Sequence, residues 1–209
     1  MTTSAAAPTV RPQRDPARRA SILRAGAAAF ARSGYAATSV DDVAASAGIT
    51  KLIVYRHFDS KEALYRDVLQ QVFDRQAELF VASIRDGMQA SGVSAALLTV
   101  AREWPDGFRL LWRHAVREPQ FVEYAHELRE IAVGAARAVV EPRVAPPYVE
   151  WAAQTLFDHI VDAVLNWLDH GAAERDDAFV ALESAALLAT VASWADPQPF
   201  VRRNQRSED

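Results

Sequence analysis

The stretch Ala37-Thr-Ser-Val-Asp-Asp-Val-Ala-Ala-Ser-Ala-Gly-Ile-Thr-Lys-Leu-Ile-Val-Tyr-Arg-His-Phe-Asp-Ser-Lys-Glu-Ala-Leu64 decides how this chain is built. Thr38 and Ser39 each stand where a helix can be capped, with Asp41 and Asp42 three residues on, the spacing of a capping box. Val40, Val43, Ala44 and Ala47 then offer a packing face through about Ser46. Gly48 turns the chain, Thr50 caps a further short helix, and Asp59-Ser60 ends it and caps the next. Upstream, a helix from Pro16 or Ala17 to Ser33 carries Leu23, Ala27, Phe30 and Ala31 on one stripe, with Arg18, Arg19, Arg24 and Arg32 outside it. Gly34 closes that helix, as glycine commonly does just past a C-terminus. Two short helices joined by a tight glycine turn, with a third behind them, make a helix-turn-helix.

Charge points the same way. The chain has two lysines, Lys51 and Lys61, and both fall in this segment. Lysine is a compact point charge suited to a phosphate. Residues 1–61 hold nine Lys/Arg and four Asp/Glu, a balance of +5, whereas the remainder holds fourteen against twenty-three, a balance of −9. A basic N-terminal third is the electrostatic footprint of a nucleic-acid surface, and an acidic body is repelled from DNA.

With these residues in view, a resemblance can be stated. Gly34-Tyr35-(x)2-Thr38, Val43-Ala44-(x)2-Ala47-Gly48-Ile49-Thr50-Lys51-(x)2-Val54-Tyr55-Arg56-His57-Phe58-(x)-Ser60-Lys61-Glu62-(x)-Leu64 resembles the TetR family of transcriptional regulators over about residues 18–70. The resemblance implies an all-α homodimer: an N-terminal three-helix helix-turn-helix DNA-binding domain joined to a helical ligand-binding and dimerisation domain. It implies a sequence-specific regulator, in most members a repressor released from a palindromic operator by a small-molecule inducer, and not an enzyme. The expected DNA-contacting residues are Ser39, Val40, Thr50, Lys51, Leu52, Ile53, Tyr55, Arg56, His57 and Lys61. At the start of the second helix Ser39 and Val40 can offer a hydroxyl and a backbone N–H to a phosphate. Lys51 stands in the first turn of the recognition helix. Family members usually contact the DNA backbone at the positions of Tyr55 and His57, and hold a flanking phosphate at that of Lys61. Tyr55 could instead be a half-buried aromatic sealing the small domain. Leu52 departs from the small residue often found there; with Ile53 it either reads thymine methyls or turns into the core, leaving readout to DNA shape.

Composition bounds the rest. At 209 residues and 50% hydrophobic the chain can bury one good core or one core with a satellite domain. Without cysteine it has neither disulfide framework nor thiolate metal site, which suits a reducing cytosol. The N-terminus lacks signal-peptide character, and the apolar run Ala185–Ala195 falls short of the roughly 18 residues that span a bilayer. A cytoplasmic protein is expected. Residues 1–16 and 197–209 read as disordered, flanking a DNA-binding domain at 17–64 and a ligand-binding and dimerisation domain at 65–196.

Beyond Ser60 the pattern predicts helices over 60–85, 93–104, 106–117, 120–140 and 148–170, with a last one opening at Asp176-Asp177, whose charges favour a helix N-terminus. Glu123, His126, Glu127 and Glu130 sit at i, i+3, i+4 and i+7, a spacing used in di-iron bundles. Asp158-His159-(x)2-Asp162 is only a loose echo of it. A metal-binding helical bundle is the rival reading, a solvated acidic face the plainer one, and no metal or cofactor is expected. Trp104, Phe108, Trp112, Phe121 and Tyr124 form an aromatic concentration that is either core or a box for an apolar, planar or cationic inducer, with Arg113 and His114 beside it. The last two long helices are apolar around most of their girth. Leu156, Ile160 and Trp167 on one, with Ala181, Ala185, Leu188 and Ala192 on the other, are expected at a dimer interface; an internal core pair is the alternative.

Overall fold

The computed structural model describes residues 15–85 and 90–195. The first fourteen residues of the expected arm, residues 86–89 in the gap expected between the helices over 60–85 and 93–104, and the expected tail at 197–209 lie outside the described residues. Helices α1 (Pro16–Ala37), α2 (Val40–Ser46), α3 (Lys51–His57), α4 (Lys61–Arg85), α5 (Ala90–Glu103), α6 (Pro105–Arg109), α7 (Val122–Val140), α8 (Val149–His170) and α9 (Asp176–Ala195) follow in order, with no strand among the described residues. The chain divides into two compact units, residues 1–67 and 68–209.

In the first unit, local chemistry sets each boundary. Asp15 caps α1 by accepting from the Ala17 N–H, and Pro16 opens the helix. Gly34 interrupts α1 at φ 77°, a backbone region that favours glycine, so the helix stops where expected and one turn follows. Of the two candidate caps for α2 the structure uses Ser39: its hydroxyl accepts from the Asp42 N–H at 3.1 Å, and the Asp42 carboxylate accepts from the Ser39 N–H at 2.8 Å. The Ser39 hydroxyl also donates to that carboxylate at 2.7 Å, and this bond, with the one from the Ser39 N–H, holds the Asp42 carboxyl below its usual pKa. Thr38 turns inward instead, donating to the Gly34 carbonyl at 2.7 Å. Gly48, at φ 64°, makes the turn into α3. Ile22, Leu23, Phe30, Val43, Val54 and Leu64 are almost wholly buried, and Phe30, Tyr35 and Tyr65 pack as a ring cluster with centroids 5.0–5.9 Å apart. Arg19 closes this core from outside, bonding Asp67 at 2.7 Å and lying 5.2 Å over the Phe58 ring.

In the second unit α7 packs on α8, α5 on both α8 and α9, and α8 on α9. The helix expected to begin at Val93 begins at Ala90, so Gly92 lies inside it rather than breaking it. The segment expected as one helix over 106–117 is α6 followed by a π-helical turn (Leu110–His114) and a 3-10 turn (Ala115–Arg117). Half-buried arginine–carboxylate pairs tie the helices together. Arg75 bonds Glu103 through two nitrogens, Arg109 and Arg113 share Asp169, and Arg102 forks onto both oxygens of Asp176 at 2.8 and 3.0 Å. The Trp167 indole N–H also donates to Asp176 at 2.7 Å, while its ring stacks on Phe179. The Arg102 hydrogen bond, then that of Trp167, hold the Asp176 carboxyl below its usual value against the opposing effect of burial.

α9 is apolar on its outer side as well as its inner one. Its buried side chains are Glu183, Ser184, Leu187 and Val191, whereas Leu182 and Leu188 are 74% and 62% exposed. Burial raises the Glu183 pKa, opposed by His159, whose imidazole lies 3.2 Å away. The sequence reading of a run too short to cross a bilayer is corrected here. The stretch Ala173–Ala195 is long and apolar enough by length and composition, with 22% of its most apolar window buried.

Candidate nucleic-acid interface and cavity

α3 projects its polar and apolar tips outward because only Val54 of its seven residues is fully buried. Lys51, Leu52, Tyr55 and Arg56 are exposed, Ile53 and His57 half-buried. Leu52, left open between DNA and core by the sequence, faces outward at 64% exposure, and Tyr55 at 44% does not seal the small unit. The Lys51 ammonium donates to Asp41 at 2.7 Å, which raises its pKa. Both partners are well exposed, so a phosphate or base edge can displace Asp41 at little cost.

Among the expected contacts, Val40 and Thr50 keep the groups that could meet DNA, and Lys61 is placed otherwise. Val40 is 6% exposed, so its side chain belongs to the core and only its backbone could meet a phosphate. Thr50 occupies the N-cap position of α3, but its hydroxyl makes no capping hydrogen bond; its carbonyl accepts from the Ile53 and Val54 N–H groups. Lys61 is turned inward. Its ammonium donates to the carbonyls of Tyr35 (2.9 Å) and Thr38 (3.0 Å) and lies 4.2 Å from the centre of the Tyr35 ring. Two of its three protons therefore brace the end of α1, where helix carbonyls lack helical partners and a cation is favoured. A partner 26 residues away cannot be read from local spacing.

The second unit holds a cavity of about 270 Å³ lined from α4, α5, α7, α8 and α9. None of the five aromatics expected to bind a ligand lines it. Phe108 and Phe121 are fully buried and Trp104 nearly so, hence they are core. Tyr124 donates its hydroxyl to Gln70. Trp112 lies one layer behind the cavity, donating to Gln76 at 3.2 Å and meeting Phe157 edge-on, and both of those partners do line it. The polar groups expected beside the rings are engaged elsewhere: Arg113 with Asp169, while burial, and then neighbouring arginines, lower the His114 pKa. Space exists because α7 presents Ala132, Ala135 and Ala136 to the cavity, side chains too small to fill it. That run of small residues was the signal in the sequence.

The expected interface residues divide. Ala181, Ala185, Leu188 and Ala192 are exposed on α9, although Leu188 also lines the cavity. Leu156 and Ile160 are 9% and 5% exposed within the single chain, lining the cavity, so these two are internal, whereas Trp167 is half-buried and held by Phe179 and Asp176. Among the described residues no group of three or more His, Asp or Glu is gathered as for a metal ion. Arg129 bonds Asp158, joining the two acidic segments singled out in the sequence.

A capped α2, a glycine turn and an outward-facing α3 define a helix-turn-helix protein. Residues 22–68 match the family described as bacterial regulatory proteins, tetR family, and by that domain the chain belongs to it. It is 30% identical over 134 residues to the transcriptional repressor KstR2 of Rhodococcus jostii, covering 59% of this chain and 66% of that protein. It is 32% identical over 112 residues to the transcriptional activator FasR of Mycolicibacterium smegmatis, covering 49% of each. The chain thus spans about half to two thirds of these relatives. A TetR-like transcriptional regulator from Rhodococcus sp. RHA1 shares the fold at a TM-score of 0.71 and 20% identity, over 84% of this chain and 96% of that one.

Proposed function

We propose that this chain is a sequence-specific DNA-binding transcriptional regulator of the cytoplasm, a repressor that a small-molecule inducer releases from a palindromic operator. The observation that carries the reading is α3, which holds Lys51, Leu52, Tyr55 and Arg56 outward from a capped two-helix scaffold. Lys51 and Arg56 supply hydrogen bonds to base edges or phosphates, Leu52 an apolar contact for a thymine methyl, and Tyr55 a hydroxyl for the backbone. Ser39 serves through the end of α2 rather than through a free hydroxyl, since Asp42 already holds that group. In this reading two copies meet through the outward stripe of α9, Ala181, Ala185, Leu188 and Ala192. A helix whose outer face leaves Leu182 and Leu188 at 74% and 62% exposure is built to be covered, and small residues permit close approach. The division 17–64 for DNA and 65–196 for ligand and dimer follows from these roles.

Selection from random and genomic duplex fragments, followed by gel shift across a salt series, tests it. Enrichment of a palindrome with half-sites about 10 bp apart or somewhat further is expected of a two-fold dimer. Failure to enrich any duplex at low salt overturns the reading. A reporter driven by the selected site separates repression from activation.

A further inference from the structure

We propose that the cavity takes a medium-length acyl ligand whose anionic end is met by Arg143; as an inducer assignment this rests on the regulator reading above. Phe73, Phe80, Leu97, Phe157, Ile160 and Val191 are among the lining groups, and Gln76 and Arg143 are its polar members. The Gln76 amide oxygen already accepts from the Trp112 indole. Arg143 is exposed; its guanidinium donates to the Val139 carbonyl and its backbone N–H to the Val140 carbonyl. No carboxylate among the described residues pairs with it, whereas the nearby Arg137 pairs with Glu150 and Arg129 with Asp158. Apart from the Gln76 amide, the wall is thus hydrocarbon with a single fork-shaped cation at one place. That arrangement suits an amphiphile with a carboxylate or phosphate, since guanidinium binds such groups in bidentate fashion.

Two features narrow the class. No acidic side chain lines the cavity, so a buried ammonium would lack a counter-charge there, and the cationic inducer considered from the sequence is disfavoured. Size sets the length. A dry cavity of about 150 Å³ holds benzene, or ~25 Å³ per carbon, so 270 Å³ accommodates about ten or eleven carbons. A free carboxylate and an acyl thioester carrying phosphates offer the same chemistry to this site, and the test separates them.

Calorimetric titration of the full chain without DNA, using decanoate, decanoyl-coenzyme A, decanol and decylamine, provides that test. At least one of the two anions should bind, and decylamine at least about tenfold more weakly. Arg143→Gln, an exposed substitution that spares the core, should weaken the anion about tenfold and leave decanol unchanged. Ala135→Phe, which fills the cavity, should abolish binding of all four. The proposal is overturned if neither anion binds, if decylamine binds as well as the anions, or if Arg143→Gln has no effect. DNA release is read separately by gel shift. An anion that binds yet leaves the DNA complex intact removes induction from the function while supporting the ligand assignment. A chain that binds its selected DNA but no acyl probe does the reverse.

Discussion

The two lysines of the chain are expected to respond oppositely to the same substitution. Lys61→Met keeps the aliphatic stem but deletes an ammonium that donates to two carbonyls and sits over the Tyr35 ring. A buried charged hydrogen bond contributes about 1.5–3 kcal/mol and an exposed cation–π contact about 0.5 kcal/mol. The site is only half-buried, and water can reach the released carbonyls, so the loss should be about 2 kcal/mol in total. For a chain of this length, melting as one transition, that corresponds to a fall of roughly 4–8 °C. Lys51→Met removes only an exposed pair with Asp41 and should leave the melting temperature unchanged. Calorimetry then measures stability, and fluorescence anisotropy on the selected DNA measures affinity across a salt series. Lys51→Met should lower the salt slope by about 0.9 for each copy bound, whereas Lys61→Met should leave the slope intact once the protein is folded. A Lys61→Met protein that melts with the parent and loses salt slope would refute the brace and return Lys61 to a phosphate.

Asp176→Asn should cost about 1–2 kcal/mol at neutral pH, because three hydrogen bonds converge on a carboxylate that is only a quarter exposed. Its folded pKa is depressed, so this contribution is fully present above the unfolded value near 3.9 and disappears as pH falls through the folded value. The melting gap between parent and variant should therefore narrow as pH falls below the unfolded value; a gap independent of pH would disprove the assignment. Ala185→Arg, on the exposed stripe of α9, should give a folded chain that sediments as a monomer and loses DNA affinity, and an unaltered assembly would remove this stripe from the interface. Gly48→Val should lower stability by about 1–2 kcal/mol through backbone strain at φ 64° alone, since a Cβ there meets nothing within 4 Å. An unchanged melting temperature would show that the turn relaxes.

Where an element's boundary is set by its own residues, it could be read beforehand. Ser39 with Asp42, Gly34 and Gly48 are such cases, and the helices they bound lie where their spacing places them. Contacts between distant residues could not. Nothing local distinguishes a lysine aimed at a phosphate from one aimed at the carbonyls of Tyr35 and Thr38. The aromatic concentration at Trp104, Phe108 and Phe121 pointed to large side chains, but large side chains fill space, and the cavity lies instead beside Ala132, Ala135 and Ala136. On α8, periodicity showed two apolar faces without showing that Leu156 and Ile160 serve the interior.

The half-buried arginine forks of the second unit have a consequence for how the protein meets a changing ionic environment. Arg75–Glu103, Arg102–Asp176 and Arg113–Asp169 are paired at close range and partly shielded from water, so dissolved ions screen them weakly. The exposed cations of α3 have no such shelter, and contacts they make with phosphates weaken steeply as salt rises. For the regulator proposed above, osmotic stress that concentrates the cell's ions is thus expected to shorten residence on DNA while the second unit keeps its shape, so that salt and the proposed inducer would act on occupancy as separate inputs.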